Sequence, residues 1–600
     1  MSTDAPAPGD AFRHAVGAYE AGRYAEAERM CIGVLERAAD NFDAARLLAV
    51  VQYRLGRRKE TLASYDRLLA LRPDHAEAHN NRGVVLHDLK RAKEALASYD
   101  RALEMHPDYA EALNNRGVVL QELDRLGEAL ASYDRALALR PDYADAQRNR
   151  GVILFKLGRL EEALASFDRA LESRPGYPDA LLSRAMVLHA LQRPADALAD
   201  LNHVIANRAQ DADALVARSR LLGDLDRFEE ALADCDAALA VRADNAEAHV
   251  NRGRILTEQR RFPEALASFA AAQRLAPDHV EAHVNEAIVR LLNGELIRGF
   301  QQYEWRLRRP GARQRSFAKP QWDGLASIYN KTILLHDDGQ LSDAIQFCRY
   351  APQVAARGAH VVLQVAQPLC SLMASLNGVA KVIAQGEAPP PFDLHCPLDS
   401  LPFAFATKLD SIPAGTPYLR VATDAVMAWE TRLTAKPRPR VGIAWAGDPR
   451  RENDHRRSIE FRRLAPIFEA GTTFVRLQKE MPARDKAAFA SRRDIFDPSD
   501  WLGDFADTAS LISRLDLVIS VDTSVAHLTG ALAKPVWVLL PATPDWRWLL
   551  GRNTTSWYPT ARLFRQTVPG DWDEVIRRVA VDLANMWARD GAAKPQQTPV

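Results

Sequence analysis

The sequence predicts two architectures in one chain: an all-α superhelix of helix–turn–helix repeats, followed by an α/β region of two Rossmann-like lobes with a cleft between them. Three observations carry this. The string NNRGVVL occurs at 80–86 and again at 114–120, and RNRGVIL follows at 148–154, so the first half repeats every 34 residues. From about residue 309 that period stops, and short β-branched runs alternate with helical stretches. A break at 430–439 (ETRLTAKPRP) then divides those runs into two sets.

Thirty-four residues is the length of a tetratricopeptide repeat, and the phase persists to about residue 290. Small residues recur where paired helices must approach closely: Gly83, Gly117, Gly151 and Gly253 on the first helix. On the second helix the series are Ala95, Ala129, Ala163, Ala197, Ala231 and Ala265, then Ala102, Ala136, Ala170, Ala238 and Ala272. Pro73, Pro107, Pro141, Pro175 and Pro277 stop the second helices, because proline cannot continue the hydrogen-bond ladder. Eight units fit between about 8 and 279, and a degenerate ninth at 280–308 caps the stack, giving repeats over 8–308.

One column on the first helices is not a packing requirement. It holds Asn81, Asn115, Asn149, Asn251 and Asn285, interrupted by Ser183 and Ala217. Asparagine is a poor interior helix residue, since its side chain competes for backbone hydrogen bonds. Two readings stand: the amides hold an extended peptide as an acceptor-binding groove on the concave surface, or they bridge neighbouring repeats. The ladder resembles that of protein O-GlcNAc transferase, and the resemblance implies a polypeptide substrate held there. The adjoining Arg82, Arg116, Arg150, Arg184, Arg218 and Arg252 are expected to be solvated or to pair with repeat carboxylates.

After a junction at 309–330, KTILLHD, HVVLQVA and AKVIAQG read as the strands of a first lobe, 331–430. RVGIAWAG, TFVRLQK, DLVISVD and PVWVLLP read as those of a second, 440–590. Strands alternating with helices imply parallel sheets, whose ligands bind outside the carboxyl ends of the strands.

The most informative stretch is 516–541, DLVISVDTSVAHLTGALAKPVWVLLP. A buried strand ends at Asp522, and Thr523 opens a helix whose free N–H groups and dipole suit a diphosphate. Ser524 adds a hydroxyl, and His527, one turn on, can face the anion; the plainer alternative is an N-cap and a core histidine. A basic loop after RVGIAWAG (Asp448, Arg450, Arg451, Asn453, Asp454, His455, Arg456, Arg457, Ser458) could neutralise a leaving diphosphate, with Arg457 and Ser458 as donor-site candidates. Lys479, after the next strand, is a further phosphate candidate beside Gln478. Asp571-Trp572-Asp573 has a metal-motif spelling, but it opens the last helix, so capping explains it better and no metal is expected.

DTSVAHLTGALAKPVWVLL resembles the donor-binding motif of the ADP-heptose:lipopolysaccharide heptosyltransferase family. PDWRWLL (544–550), WYPTARLFRQ (557–566) and GDWDEVIRRV (570–579) resemble its tetratricopeptide-fused bacterial relatives, so the resemblance spans roughly 317–590. It implies a GT-B glycosyltransferase, with Asp522, Thr523, Ser524 and His527 on the donor's nucleoside diphosphate. It also implies a catalytic base at Asp343, in LLHDDGQLSDAIQFCRY (334–350). The family pattern E-x-G-L-G-D is here Asp338, Gly339, Gln340, Leu341, Ser342 and Asp343. With glycine missing at 340 and 342, the turn is expected to follow a different backbone path wherever φ > 0 was needed.

Composition narrows the classes. Lys+Arg and Asp+Glu are 78 each, and a neutral chain lacks the electrostatic footprint of a nucleic-acid binder. The five cysteines are scattered, as free thiols in a reducing compartment are. The polar, acidic N-terminus does not read as a signal peptide, and no apolar run reaches 18 residues, so a cytoplasmic location is expected. The leading expectation is transfer of a sugar from a nucleoside diphosphate sugar, as co-substrate without a resident cofactor, to a protein or glycan that the repeats recruit. The rival is a non-catalytic protein–protein interaction scaffold with a degenerate transferase domain.

Overall fold

The computed structural model describes residues 8–309, 317–337, 339–449, 454–469 and 472–592. The chain divides into two compact units, Met1–Leu225 and Asp226–Val600.

Among the described residues, the first unit is built of helices and the turns between them. Six antiparallel helix pairs run from Pro8–Glu20 with Tyr24–Arg37 to Pro178–Ala190 with Pro194–Asn207, and Ala212–Asp224 follows. The reason for the glycine column is on the partner helix: a Cβ at Gly117 would lie 2.5 Å from the Tyr133 ring, and one at Gly83 2.6 Å from Tyr99. Where the first helix carries the larger Ala185, the residue 16 further on is the smaller Leu201, and both sit in one buried cluster. Volume is thus conserved across the pair. The alanine columns are fully buried, where only a methyl group fits between helices.

The arginine column is a set of clamps. Arg116 donates to Asp100 Oδ1 (2.7 Å), 16 residues before it, and to Ser132 Oγ (2.7 Å), 16 after. Arg82 and Arg150 repeat the pattern. In the sixth pair Asp200 replaces the serine, and Arg184 sits between two carboxylates. The turn inside each pair has φ > 0 at one position, which recurs every 34 residues as Gly22, Gly56, Lys90, Asp124, Gly158 and Gln192.

The second unit opens with Phe228–Val241, Ala246–Glu258 with Phe262–Leu275, and Val280–Leu292 with Leu296–Tyr303, which tightens into the 3₁₀ turn Glu304–Arg308. It continues into two parallel sheets. The first contains β1 (Thr332–His336), β2 (His360–Val365), β3 (Val379–Ala384) and β4 (Leu394–Pro397), in the order β3-β2-β1-β4. The second contains β5 (Arg440–Ala444), β6 (Thr473–Arg476), β7 (Leu517–Val521), β8 (Val536–Leu540) and β9 (Ala561–Arg565), in the order β6-β5-β7-β8-β9. β4 and β9 are strands that the sequence pattern did not single out: one is four residues ending in proline, the other alternates with arginines.

The period stops at 308, yet the packing does not divide there. Leu291, Leu292, Leu296 and Phe300 of the last helix pair belong to the same buried core as β1, β2 and the helices of both lobes. Phe300 meets Trp546 edge-to-face at 5.4 Å, and buried Arg306 donates to Asp399 (2.6 Å) and Ser400 (2.7 Å). Arg349, buried and aromatic-walled, crosses between the lobes from the first to the Trp557 carbonyl (2.7 Å). Among the described residues, no helix is long and apolar enough to cross a membrane.

Candidate functional site

Strand order places the site. In each sheet the chain builds outward in one direction and then returns to the other side of its first strand. The reversal lies between β1 and β4 in the first sheet and between β5 and β7 in the second. Crevices at such points are where open α/β sheets bind ligands.

At the second reversal, β7 runs into Asp522 and Thr523, and Ser524–Ala531 is the helix. Thr523 occupies the N-cap in extended conformation, but its side chain does not cap the helix; its hydroxyl pairs with Ser520 Oγ at 3.1 Å. Asp522 and Ser524 are half-buried beside it. His527 is a core histidine in part: fully buried, with Nδ1 on the Tyr558 hydroxyl (2.9 Å) and its ring 5.2 Å from that of Trp548. Its Nε2 lies 3.6 Å from Asp522 Oδ1. Burial pushes the Asp522 carboxyl up, but His527, Arg457 and Arg547 outweigh it and hold it below the usual range.

After β5, Ser458 Oγ accepts from the Gly447 amide (2.8 Å) and donates to Asp454 Oδ2 (2.7 Å), while Arg457 donates to Asp454 Oδ1 (2.9 Å). Any side chain at Gly447 would strike Asp454 and Arg457. The loop therefore delivers Arg457, whose charge reaches Asp522, from a fixed frame.

At the first reversal, Asp337 ties the ends of β1, β2 and β3 together, accepting from the Ala366 amide (3.1 Å) and from Gln385. The turn then enters Leu341–Phe347, with Asp343 in its first turn. Positive φ falls on Gly339 (φ 90°), whereas Gln340 has φ −91°, which any residue adopts. The missing glycine at 340 therefore does not strain this backbone.

Asp343 does not face solvent alone. Its Oδ1 accepts from Arg547 Nη2 at 2.7 Å, across the two lobes. Arg547 also donates to Gln346 Oε1 (2.7 Å) and to both Asp545 oxygens (2.9 Å). Of the side chains named from sequence, Asp343 is bonded to Arg547, while Asp522 lies beside His527 and its carboxyl is lowered by the charges of Arg457 and Arg547. A second space adjoins Ser458: a cavity of about 580 Å³ whose walls include Phe228, Glu258, Thr543, Gln566 and Trp572. Gln566 Oε1 accepts from the Ala542 and Gly570 amides, leaving its buried Nε2 without a partner.

Other expectations are redirected. Lys479 is exposed and donates to the Gly503 carbonyl (2.9 Å), Arg476 holds the Lys479 carbonyl, and the neighbouring Gln478 accepts from the Trp445 and Ala446 amides after β5. The asparagine amides are engaged within the repeats. Asn115 donates to Asn80 and Asn149 to Asn114, each at 3.1 Å across adjacent repeats, and Asn81 accepts from Asn80 (3.2 Å). In the second unit Asn251 is buried and Asn285 donates to the Glu281 carbonyl of its own helix (2.8 Å). Asn115 and Asn149 thus bridge neighbouring repeats, whereas Asn285 bonds within its own helix. Asp571 accepts from the Glu574 amide (3.1 Å) as a helix cap. Among the described residues, no three His, Cys, Asp or Glu side chains converge as metal ligands do. Asp338, Arg450, Arg451 and Asn453 lie outside the described residues.

Residues 18–82, 74–142, 114–178, 154–214 and 216–296 match family models of the tetratricopeptide repeat, so the first half of the chain is tetratricopeptide repeats. Protein FlbA of Caulobacter vibrioides is 28% identical over 186 residues, 30% of this chain and 31% of FlbA, so the chain spans under a third of that relative's length. Among solved structures, a tetratricopeptide repeat protein from Parabacteroides merdae is similar at 19% identity and a TM-score of 0.36, over 42% of this chain and 98% of that one. YrrB, described as a tetratricopeptide repeat protein with an unusual peptide-binding site, is similar at 26% identity and a TM-score of 0.26, over 31% and 95%.

Proposed function

We propose that the α/β half transfers a glycosyl group from a nucleoside diphosphate sugar to a hydroxyl of a protein or glycan acceptor, and that the repeats recruit this acceptor. The observation that carries the reading is that the reversal point of each sheet presents an aspartate: Asp343, bonded to Arg547 across the lobes, and Asp522, beside His527 at the start of a helix. The diphosphate would lie at the start of Ser524–Ala531, where the N–H groups and dipole favour an anion. Arg457 and Arg547 would offset its charge as it leaves. The acceptor oxygen bonds to the anomeric carbon, the bond from that carbon to the phosphate oxygen breaks, and the hydroxyl proton passes to Asp343. For this Arg547 must shift from Asp343 to phosphate, an exchange the incoming charge itself drives.

A second reading, a protein–protein interaction scaffold with an inactive α/β half, draws support from the Asp343–Arg547 ion pair, which occupies the base. Thermal stabilisation by UDP, ADP, GDP and CMP separates the two on the wild type and Asp522→Ala. A diphosphate at about 100 times its dissociation constant stabilises by about 2.7 kcal/mol. Stabilisation of the wild type alone, followed by turnover of the matching sugar nucleotide, supports transfer. No stabilisation by any of the four overturns it in favour of the scaffold.

A further inference from the structure

We propose that Arg456 is a positioning residue through which the repeats set the geometry of the loop that carries Arg457 and Ser458; the functional part of this rests on the transfer reading above. Three repeat side chains converge on its guanidinium. Asp226 Oδ1 accepts from Nε at 2.7 Å, Glu258 Oε1 lies 2.9 Å from Nη1, and the Phe228 ring lies 5.5 Å below. Asp226 and Phe228 belong to the turn and helix of the seventh repeat, and Glu258 ends the first helix of the eighth. His455 adds a contact to Asp226 Oδ2 (3.3 Å), and Thr543, after β8, donates to the Glu258 carbonyl (3.1 Å).

The segment is gripped from both sides. Inward, Asp454 and Ser458 lock onto Gly447, and the Ile459 amide donates to the Trp445 carbonyl (2.8 Å). Outward, Arg456 locks onto the repeats. Arg457 lies between these anchors and is the residue whose charge reaches Asp522. Two carboxylates already neutralise Arg456, so it is poorly placed to bind phosphate and well placed to fix its neighbour. A repeat array that shifts on this loop would therefore move Arg457 relative to Asp522, which gives a bound partner a direct mechanical route to the donor site.

The test compares Arg456→Met, Arg456→Lys and the double variant Asp226→Asn/Glu258→Gln in the full chain. The double variant leaves the α/β half untouched, and asparagine tolerates the left-handed backbone at 226. Two quantities are read: the dissociation constant for pyrophosphate, and amide hydrogen exchange at Ser458 and Ile459. The expected result is at least tenfold weaker pyrophosphate binding and faster exchange at both amides in Arg456→Met and in the double variant, with Arg456→Lys close to wild type in both quantities and a cooperative melt retained in all. Unchanged exchange and affinity in the double variant would overturn the proposal. Weaker binding in Arg456→Met but not in the double variant would overturn it too, by showing that Arg456 touches the anion itself. If the wild type binds no pyrophosphate, the transfer reading fails, and the exchange measurement alone decides whether the repeats clamp the loop.

Discussion

Asp343 Oδ1 and Arg547 Nη2 lie 2.7 Å apart, although 204 residues separate them in the chain. One comes from the helix after β1 and the other from the short Trp546–Trp548 turn after β8, so the pair links the reversal point of the first sheet to the carboxyl-end loops of the second. The Arg547 side chain is 9% exposed, and Asp545 shares it with Asp343.

Removing Arg547 leaves two carboxylates facing each other. Arg547→Met is expected to destabilise the second unit by about 3–5 kcal/mol, the range for breaking a buried ion pair by deleting one partner. A clear fall in the Tm of the α/β transition checks this, and a melt that superposes on the wild type would contradict it.

Asp343→Asn keeps the volume and a hydrogen-bonding oxygen but removes the base. Under the transfer reading, kcat falls about 10²–10⁴-fold while the KM for the donor stays within a few-fold. Partner capture by the repeats should be the same in both proteins, as measured by calorimetry with the same acceptor.

In the repeats, Gly117→Ala places a methyl 2.5 Å from the Tyr133 ring, which is fully buried. The expected cost is about 1–3 kcal/mol in chemical denaturation of the first unit. Adding Tyr133→Leu should recover part of it, as the natural Ala185 and Leu201 pairing does two repeats on.

Gln192 holds φ 59° at a turn position where Gly22, Gly56 and Gly158 stand in other repeats. Gln192→Gly is expected to stabilise by up to about 1 kcal/mol, because the left-handed backbone costs about 1–2 kcal/mol for a side chain and glycine's extra unfolded-state entropy takes part of it back. A rise in Tm checks it; a fall would mean the entropy term wins.

The Asp522 carboxyl titrates below its unfolded value: burial raises it, and His527, Arg457 and Arg547 lower it further. A depressed acid contributes stability that is fully present above its unfolded pKa of about 3.9 and is lost as pH falls through the lower folded pKa. Melts between pH 5 and pH 3 should therefore show a shallower acid loss in Asp522→Asn than in the wild type. Parallel acid limbs would show that Asp522 does not carry this dependence.

Much of the repeat half was legible because its contacts are local and recur. A glycine meets an aromatic ring 16 residues on, an arginine meets an aspartate 16 residues back, and each relation is written into the sequence once per period. The asparagine column was equally visible, but its partners were not. Whether Asn115 faces a ligand or Asn80 depends on how one repeat seats on the next, and the structure supplies the Asn80 oxygen at 3.1 Å.

In the α/β half, buried β-branched runs marked seven strands, while β4 and β9 were hidden by a proline and by alternating arginines. The sequence by itself determined the repeats, the parallel strands and the aspartates at their carboxyl ends, since these depend on periodicity and on local backbone preference. Only the tertiary structure decided that Asp343 pairs with Arg547, that Lys479 donates to the Gly503 carbonyl, and that Arg456 reaches Asp226 across 230 residues. The physical reason is that an ion pair between distant segments costs the chain no local signature. It is chosen by sheet order and helix packing, and either partner alone is an ordinary charged residue.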